Sequence, residues 1–391
     1  MMAKSGHSMS AEIDVNTTSA RVAAIYLGVL GAAVFIVQPG FVQGLVADLG
    51  LSEQQAGYIA SAEQWGIAVT CVAMALGLHR VGWGRLLRAS VLLFVVGNLA
   101  SLLWPGFLPL AGSRFFAGLG AGGLISLTFT ILGLTRHPDR NFGLLITAVL
   151  SYGAVGLWLV PILLTSIGMQ GILLFFAVFS ASGGLFIGYL PASGGLGAQD
   201  TAPASLSAAL TLVAVVAMFA FFLAEGSVWA YLFLMGLEAG VAEQQVADSL
   251  TLSQILGIGG ALLTVMLGSR LGRSLPLLLG IGGCAISCFF LFGSFSASVY
   301  LAAVCLNNFA WNFVHPYLLA CMASFDLSGR IVMYAVAAQM LGLAVGPALA
   351  ATLLGFTNYD AVLWMAIAFF VASYGLIAIA IKAESSGTDD A

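Results

Sequence analysis

Long apolar stretches alternate with short polar breaks along this chain, from residue 23 to residue 381. Each stretch is long enough, and poor enough in charge, to cross a bilayer as a helix. The pattern predicts twelve spans, near 23–46, 56–78, 86–104, 108–134, 142–166, 170–190, 208–236, 246–268, 275–293, 297–324, 331–355 and 360–381. The breaks themselves repeat. Arg80-Val81-Gly82, inside the basic stretch Leu78–Arg88, returns 190 residues later as Arg270-Leu271-Gly272, followed by Arg273. The same offset carries Glu53-Gln54-Gln55 onto Glu243-Gln244-Gln245, Gln64 onto Gln254, Arg140 onto Arg330 and Gly156 onto Gly346. A constant offset at five places points to two tandem halves. The expected fold class is an all-α polytopic membrane protein, with twelve transmembrane helices arranged as two six-helix parallel repeats. The expected units are a disordered cytoplasmic tail (1–22), an N-terminal bundle (23–190), a cytoplasmic linker (191–207), a C-terminal bundle (208–381) and a second cytoplasmic tail (382–391). Six spans per half give both halves the same orientation, so a seam between two like bundles is expected, with a substrate site there.

Composition agrees. Hydrophobic residues make up 61% of the chain and charged residues 7%, with mean hydropathy +1.06, which leaves too little charge to face water. No basic patch supports nucleic-acid binding, and no GxxxxGK loop supports direct use of ATP. Cys71, Cys284, Cys288, Cys305 and Cys321 all fall in apolar runs without metal-ligand spacing, so they read as free thiols, with no metal and no cofactor expected. Positive charge tests the span count. With both termini inside, eleven of the twelve Lys and Arg residues fall on the cytoplasmic side. The twelfth, Arg114, lies within span four.

The residues resemble the major facilitator superfamily. Its loop after span two, of the type G-x-x-x-D-R-x-G-R, is similar to residues 75–83 here, with a second copy at 265–273. Both copies keep Arg-x-Gly and carry His79 and Ser269 where the aspartate stands. Arg114-Phe115-Phe116-Ala117-Gly118-Leu119-Gly120 fits the family's R-x-x-x-G-x-G in span four. Gly342-Leu343-Ala344-Val345-Gly346-Pro347 in span eleven looks like the G-x-x-x-G-P that the family's antiporters carry in span five, where this chain has Gly153, Gly156 and a later Pro161. The resemblance implies transport by alternating access, and a cavity lined by spans one, four, seven and ten. It also implies an inner gate near Arg80, Gly82, Arg85, Arg270, Gly272 and Arg273.

An ionisable side chain inside a span is costly and is a functional candidate by default. Four stand out: Glu63, Arg114, Glu225 and His315. Arg114 could grip a substrate carboxylate, or it could pair with Glu63 or Glu225 and serve proton coupling, which the resemblance favours. Glu225 has aromatic neighbours in sequence and could load and release a proton near neutral pH. Asn308, Trp311, Asn312 and His315 recur at three and four residues and share a face of span ten, where amides, an indole and an imidazole suit an aromatic or amphipathic organic solute. The alternative is that they hold the bundle together by interhelical hydrogen bonds. With Gln38, Arg114 and Trp229 they form the expected substrate lining, and Glu225, Glu63 and Arg114 form the expected coupling set.

The resulting expectation is a secondary transporter, not an enzyme, in a bacterial inner membrane. Its partners are a small solute, protons and the lipid bilayer, with no nucleic acid, and a monomer is expected. Proton-coupled uptake of an organic or aromatic acid leads, because span five lacks the antiporter motif. Proton-antiport efflux of amphipathic compounds is the alternative. A membrane enzyme acting on lipid-linked substrates is a remote third, since only His137 and Asp139 could serve it.

Overall fold

A computed structural model describes residues 14–77, 81–104, 106–191, 207–268, 270–325 and 330–389. Arg80 of the expected gate, the first thirteen residues of the N-terminal tail and residues 192–206 of the expected linker lie outside them. The described residues form helices, turns and bends, with no strand among them. The helices are α1 (Thr18–Ile36), α2 (Gln38–Ala47), α3 (Glu53–Leu76), α4 (Trp83–Leu103), α5 (Phe107–Gly133), α6 (Pro138–Ser182), α7 (Ala208–Glu238), α8 (Glu243–Leu267), α9 (Ser274–Phe289), α10 (Ala297–Phe325), α11 (Arg330–Leu354) and α12 (Tyr359–Asp389).

Twelve helices and twelve spans correspond only after two adjustments. Span one is broken in two. Pro39 has no N–H to give the carbonyl of Phe35 four residues earlier, and Val37 leaves helical geometry at φ −104°, ψ 16°. Spans five and six are two limbs of α6, which reverses at Gly168 (φ 66°, ψ −179°), a conformation that favours glycine. The first limb runs along α1 and α2 in parallel, with Leu145 beside Gly28, Val160 beside Gly40 and Leu164 beside Gly44. The second limb runs back, with Phe176 against Phe41 and then Phe179 and Ser182 against Tyr26. Asp48 accepts a hydrogen bond from the Met169 N–H at 2.6 Å, which satisfies the start of the returning limb.

Two ends differ from expectation. Residues 18–22, expected in the tail, are already helical, because Thr17 caps α1 by accepting from the Ala20 N–H at 3.2 Å. At the other terminus α12 continues past 381 to Asp389, and Glu384 within that extension pairs with Arg273 at 2.8 Å.

The repeat is visible in the packing. Glu53 and Glu243 each open the second span of their half, as the first residues of α3 and α8. Across the seam α3 packs on α11, and α8 packs on the first limb of α6. Ser61 on α3 donates to the Ala344 carbonyl at 2.6 Å, and Thr251 on α8 donates to the Ala154 carbonyl at 3.2 Å. Both donors and both acceptors are related by the 190-residue offset, so these two bonds are images of each other under the internal pseudo-two-fold. On the periphery α4, α6 and α9 present Leu92, Val96, Leu99, Trp158, Ile162, Leu279 and Ile286 outward, as a lipid-facing surface requires. Arg21, Arg85, Arg88, Arg136, Arg140, Arg270, Arg273 and Lys382 gather at one end of the bundle, called the arginine end below. Asp48, Glu53, Glu238, Glu243, Asp248 and Asp360 gather at the other.

Candidate functional site

Gly118 and Gly122 stand one and two turns along α5 from Arg114 on one face, and they rest against the α3 backbone at Glu63 and Ile67. That close approach puts Arg114 within reach of α3. Its Nη2 and Nε donate to Glu63 Oε1 and Oε2 at 2.5 and 3.2 Å, its Nη1 donates to Asn98 Oδ1 at 2.6 Å, and its guanidinium lies 5.4 Å from the Phe41 ring centroid. Arg114 is fully buried and Glu63 nearly so, so this is a desolvated ion pair in a bidentate arrangement.

Glu225 is buried elsewhere, in the C-terminal bundle. Its Oε1 accepts from Asn307 Nδ2 at 2.6 Å, while Oε2 has no partner among the described residues. Asn307 is held in turn by Ser287, whose hydroxyl donates to Asn307 Oδ1 at 2.9 Å. Of the two partners foreseen for Arg114, the structure brings Glu63 and not Glu225. Asn98 and Asn307 complete the two sites and escaped the sequence reading: a lone amide such as Asn98 looks like ordinary bundle packing, and Asn307 lies off the face that Asn308, Trp311, Asn312 and His315 share.

A cavity of about 180 Å³ lies at mid-depth between the halves. That is more than ten times the roughly 10–15 Å³ that one water needs on the same measure, room for a small solute. Trp229, Asn308, Trp311, Asn312 and His315 all line it, so five of the seven residues expected in the substrate lining meet there. Gln38 and Arg114 lie outside its wall. Gln38 is buried with Oε1 unpartnered among the described residues, and Arg114 is turned toward α3 and α4 by its partners. Gln64, Gln254 and Gln339 were not foreseen as lining. The equal offset of Gln64 and Gln254 was the available signal.

The cavity wall is uncharged and two-faced. Apart from Gln64, the N-terminal half supplies apolar groups, among them Phe35, Ile125, Phe129, Ile146 and Val149. The C-terminal half supplies the amides, the imidazole and the indoles. Trp229 and Trp311 meet edge to face at 6.0 Å, and Phe35 lies 6.2 Å from Trp311. His315 Nε2 is 3.1 Å from Gln339 Oε1, and Asn308 donates to Ser253 at 3.2 Å while accepting from Asn312 at 2.7 Å. The break in span one opens beside this cavity. The Phe35 carbonyl that Pro39 cannot serve accepts from the Trp229 indole at 3.1 Å, and the Ile36 carbonyl accepts from Gln254 Nε2 at 3.4 Å. Residues of one half thus satisfy backbone freed in the other.

The two ends of the cavity differ. On the acidic side the halves are tied. Tyr359 donates to Glu53 Oε2 at 2.7 Å, Tyr231 donates to the Glu53 carbonyl at 3.1 Å, Gln43 donates to Glu243 at 3.4 Å, and the Tyr58 and Thr352 hydroxyls are 2.9 Å apart. At the arginine end Arg85, Arg270 and Arg273 are exposed, and Arg273 pairs with Glu384 of its own half. Gly82 precedes α4 with φ 30° and Gly272 has φ 65°, both in loops at that end. The cavity lining reaches toward the arginine end, at Gly28, Phe129, Leu145 and Gln339, while these ties close the halves together on the acidic side.

The Major Facilitator Superfamily profile matches residues 23–347. A solved structure of a D-xylose-proton symporter superposes with a TM-score of 0.74, covering 92% of this chain and 96% of that one at 16% identity, a likeness of fold. A D-xylose transporter of Levilactobacillus brevis is 28% identical over 120 residues, 30% of this chain. The match spans about a quarter of that relative's length (26%). The twelve-span, two-half architecture and the profile match over most of the chain lead to one assignment: this multi-pass integral membrane protein belongs to the Major Facilitator Superfamily.

Proposed function

We propose that this chain carries a small uncharged organic solute across the membrane by alternating access, driven by protons. The observation that carries the reading is the cavity at the seam of two like bundles, which are tied together on its acidic side while its lining reaches toward the arginine end. One state of an alternating-access carrier needs that arrangement. On this reading the arginine end is cytoplasmic, in a bacterial inner membrane with both termini inside, and the conformation is inward-open.

The solute is uncharged because no charged group lines the cavity among the described residues. Uptake of an organic acid loses its anion partner here, since Glu63 and Asn98 already occupy the Arg114 guanidinium. A sugar is the first candidate. Amides and indoles suit hydroxyls and sugar ring faces, and two similar proteins are named for D-xylose. The apolar N-terminal wall favours a second reading, an amphipathic solute with one greasy face.

For coupling, the two buried carboxylates divide the work. Glu63 has a counter-charge in Arg114, whereas Glu225 has a neutral amide. A charge without a counter-charge is expensive at this depth, so Glu225 is the group that takes and gives the proton. The ion pair in the other half answers the movement.

The test is uptake of labelled D-xylose into proteoliposomes loaded with a pH dye, under an imposed proton gradient. Accumulation with proton entry is expected, with Glu225→Gln retaining exchange of labelled for unlabelled solute but losing accumulation. Solute movement with no dye response, or full accumulation by Glu225→Gln, overturns the coupling. No movement of D-xylose, an aromatic acid or an amphipathic cation overturns the transport reading.

A further inference from the structure

Gln64 and Gln254 occupy the same place in the two halves, 190 residues apart on α3 and α8, and both reach the cavity. Both are more than nine-tenths buried. The hydrogen-bonding capacity of Gln254 is not filled by the described residues. Gln254 Oε1 has no partner among the described residues, and its amide nitrogen makes one long bond of 3.4 Å to Ile36. Gln64 lies on the same wall, with its side chain reaching the cavity. Leaving the Gln254 carbonyl oxygen unpaired in a membrane interior is costly, which argues that something outside the chain completes it, and Gln64 offers the same amide from the other half.

Their neighbours differ in an informative way. The residue before Gln64 is Glu63, committed to Arg114, while the residue before Gln254 is Ser253, committed to Asn308. The two halves have diverged at that position and kept the amide at the next. Space is also held open. A side chain on Gly153 would press against Gln254 Nε2 at about 3.0 Å.

We propose that Gln64 and Gln254 form a two-jawed amide clamp, one jaw in each half, which recognises an uncharged solute bearing hydroxyl groups on opposite edges. The inference rests on the transport reading above and gives its site a substrate class. A carboxamide offers a donor and an acceptor side by side, and a hydroxyl is both donor and acceptor, so the two complement each other. A carboxylate or an ammonium group would satisfy only half of each amide and would bring an unmatched charge into the cavity. A solute held by both jaws links the halves, so binding is felt on both sides of the seam.

The experiment is solute exchange in proteoliposomes with labelled D-xylose competed by its single-deoxy analogues, for wild type, Gln64→Met, Gln254→Met and the double variant. Each single variant is expected to raise the half-saturation concentration roughly tenfold. Each should also lose discrimination against a different deoxy analogue, and the double variant should lose both. A merely structural glutamine would weaken exchange of all analogues alike. Two variants blind to the same hydroxyl, or unchanged discrimination, overturn the clamp while leaving transport standing. If wild type exchanges D-xylose no better than it exchanges benzoate or tetraphenylphosphonium, the uncharged class falls and the clamp with it. Should Gln254→Met fail to fold, the wild-type analogue series with Gln64→Met still decides. Two costly hydroxyls, of which Gln64→Met abolishes the cost of one, support the clamp, and any other pattern overturns it.

Discussion

The chemistry of this protein turns on how a few polar side chains are matched inside a membrane. Glu63 and Arg114 are matched to each other, and Asn98 takes the remaining face of the guanidinium. Removing one partner strands a buried charge. Glu63→Gln should therefore destabilise the bundle by about 3–5 kcal/mol, and adding Arg114→Gln to it should recover most of that loss. Thermal melting of the purified protein in detergent, with both single variants and the double, checks the prediction, and strictly additive losses would contradict it. Asn307 is the corresponding keystone for Glu225. Asn307→Leu removes the donor to Glu225 Oε1, and the expected cost is about 1–3 kcal/mol. Asn307→Asp, which sets a second carboxyl beside Glu225, should disturb proton-driven accumulation more than solute exchange, measured in the same vesicles. The sequence singled out Glu63, Arg114 and Glu225 because ionisable residues are rare in spans. Which carboxylate meets the arginine depended on Gly118 and Gly122 drawing α5 onto α3, a choice between helices that spacing along one chain does not encode.

Two elements depart from plain spanning helices, and both departures have a stated cause in the sequence. Gly168 turns α6 back on itself, and the hydropathy break near that position already separated spans five and six. The break in span one is different. Pro39 lies within a continuous apolar stretch, 23–46, so hydropathy alone runs straight through it. Its meaning appears only with Trp229 and Gln254 of the other half in place, donating to the carbonyls of Phe35 and Ile36. Pro39→Ala gives Phe35 a backbone donor and should let α1 and α2 join, releasing the Trp229 indole. The expected result is transport slowed by roughly tenfold or more with expression intact, together with a shift in tryptophan emission. Unchanged turnover would show that the break is incidental.

For the molecule as a whole, the repeat governs how the halves meet. Glu53 and Glu243, equivalent by the 190-residue offset, each accept a hydrogen bond from the opposite half at the acidic end, from Tyr359 and Gln43. They form a paired latch on the acidic side. Tyr359→Phe with Gln43→Ala should shift the population toward a state open at that end. Spin labels at the exposed positions Leu108 and Phe356, one in each half, would report it as a longer distance component. Distances identical to those of the parent protein would argue against the latch. The Ser61–Ala344 and Thr251–Ala154 bonds join the halves between the latch and the arginine end.

What the sequence determined by itself is whatever the bilayer dictates residue by residue. Backbone polar groups must be satisfied within each apolar stretch, so the stretches are helices. Positive charge must lie at one end, so their directions alternate. A repeated pattern must fold twice in the same way. Those constraints act along the chain and are written in hydropathy, charge and the 190-residue offset. The tertiary structure decided which polar groups meet: Glu63 with Arg114, Glu225 with Asn307, Trp229 with the carbonyl of Phe35, and Gln64 and Gln254 on the wall of one cavity. Such pairings depend on helix rotation and on approaches of a few ångströms between segments far apart in the chain. Close-packed side chains from both halves set those distances together, and no single stretch carries them.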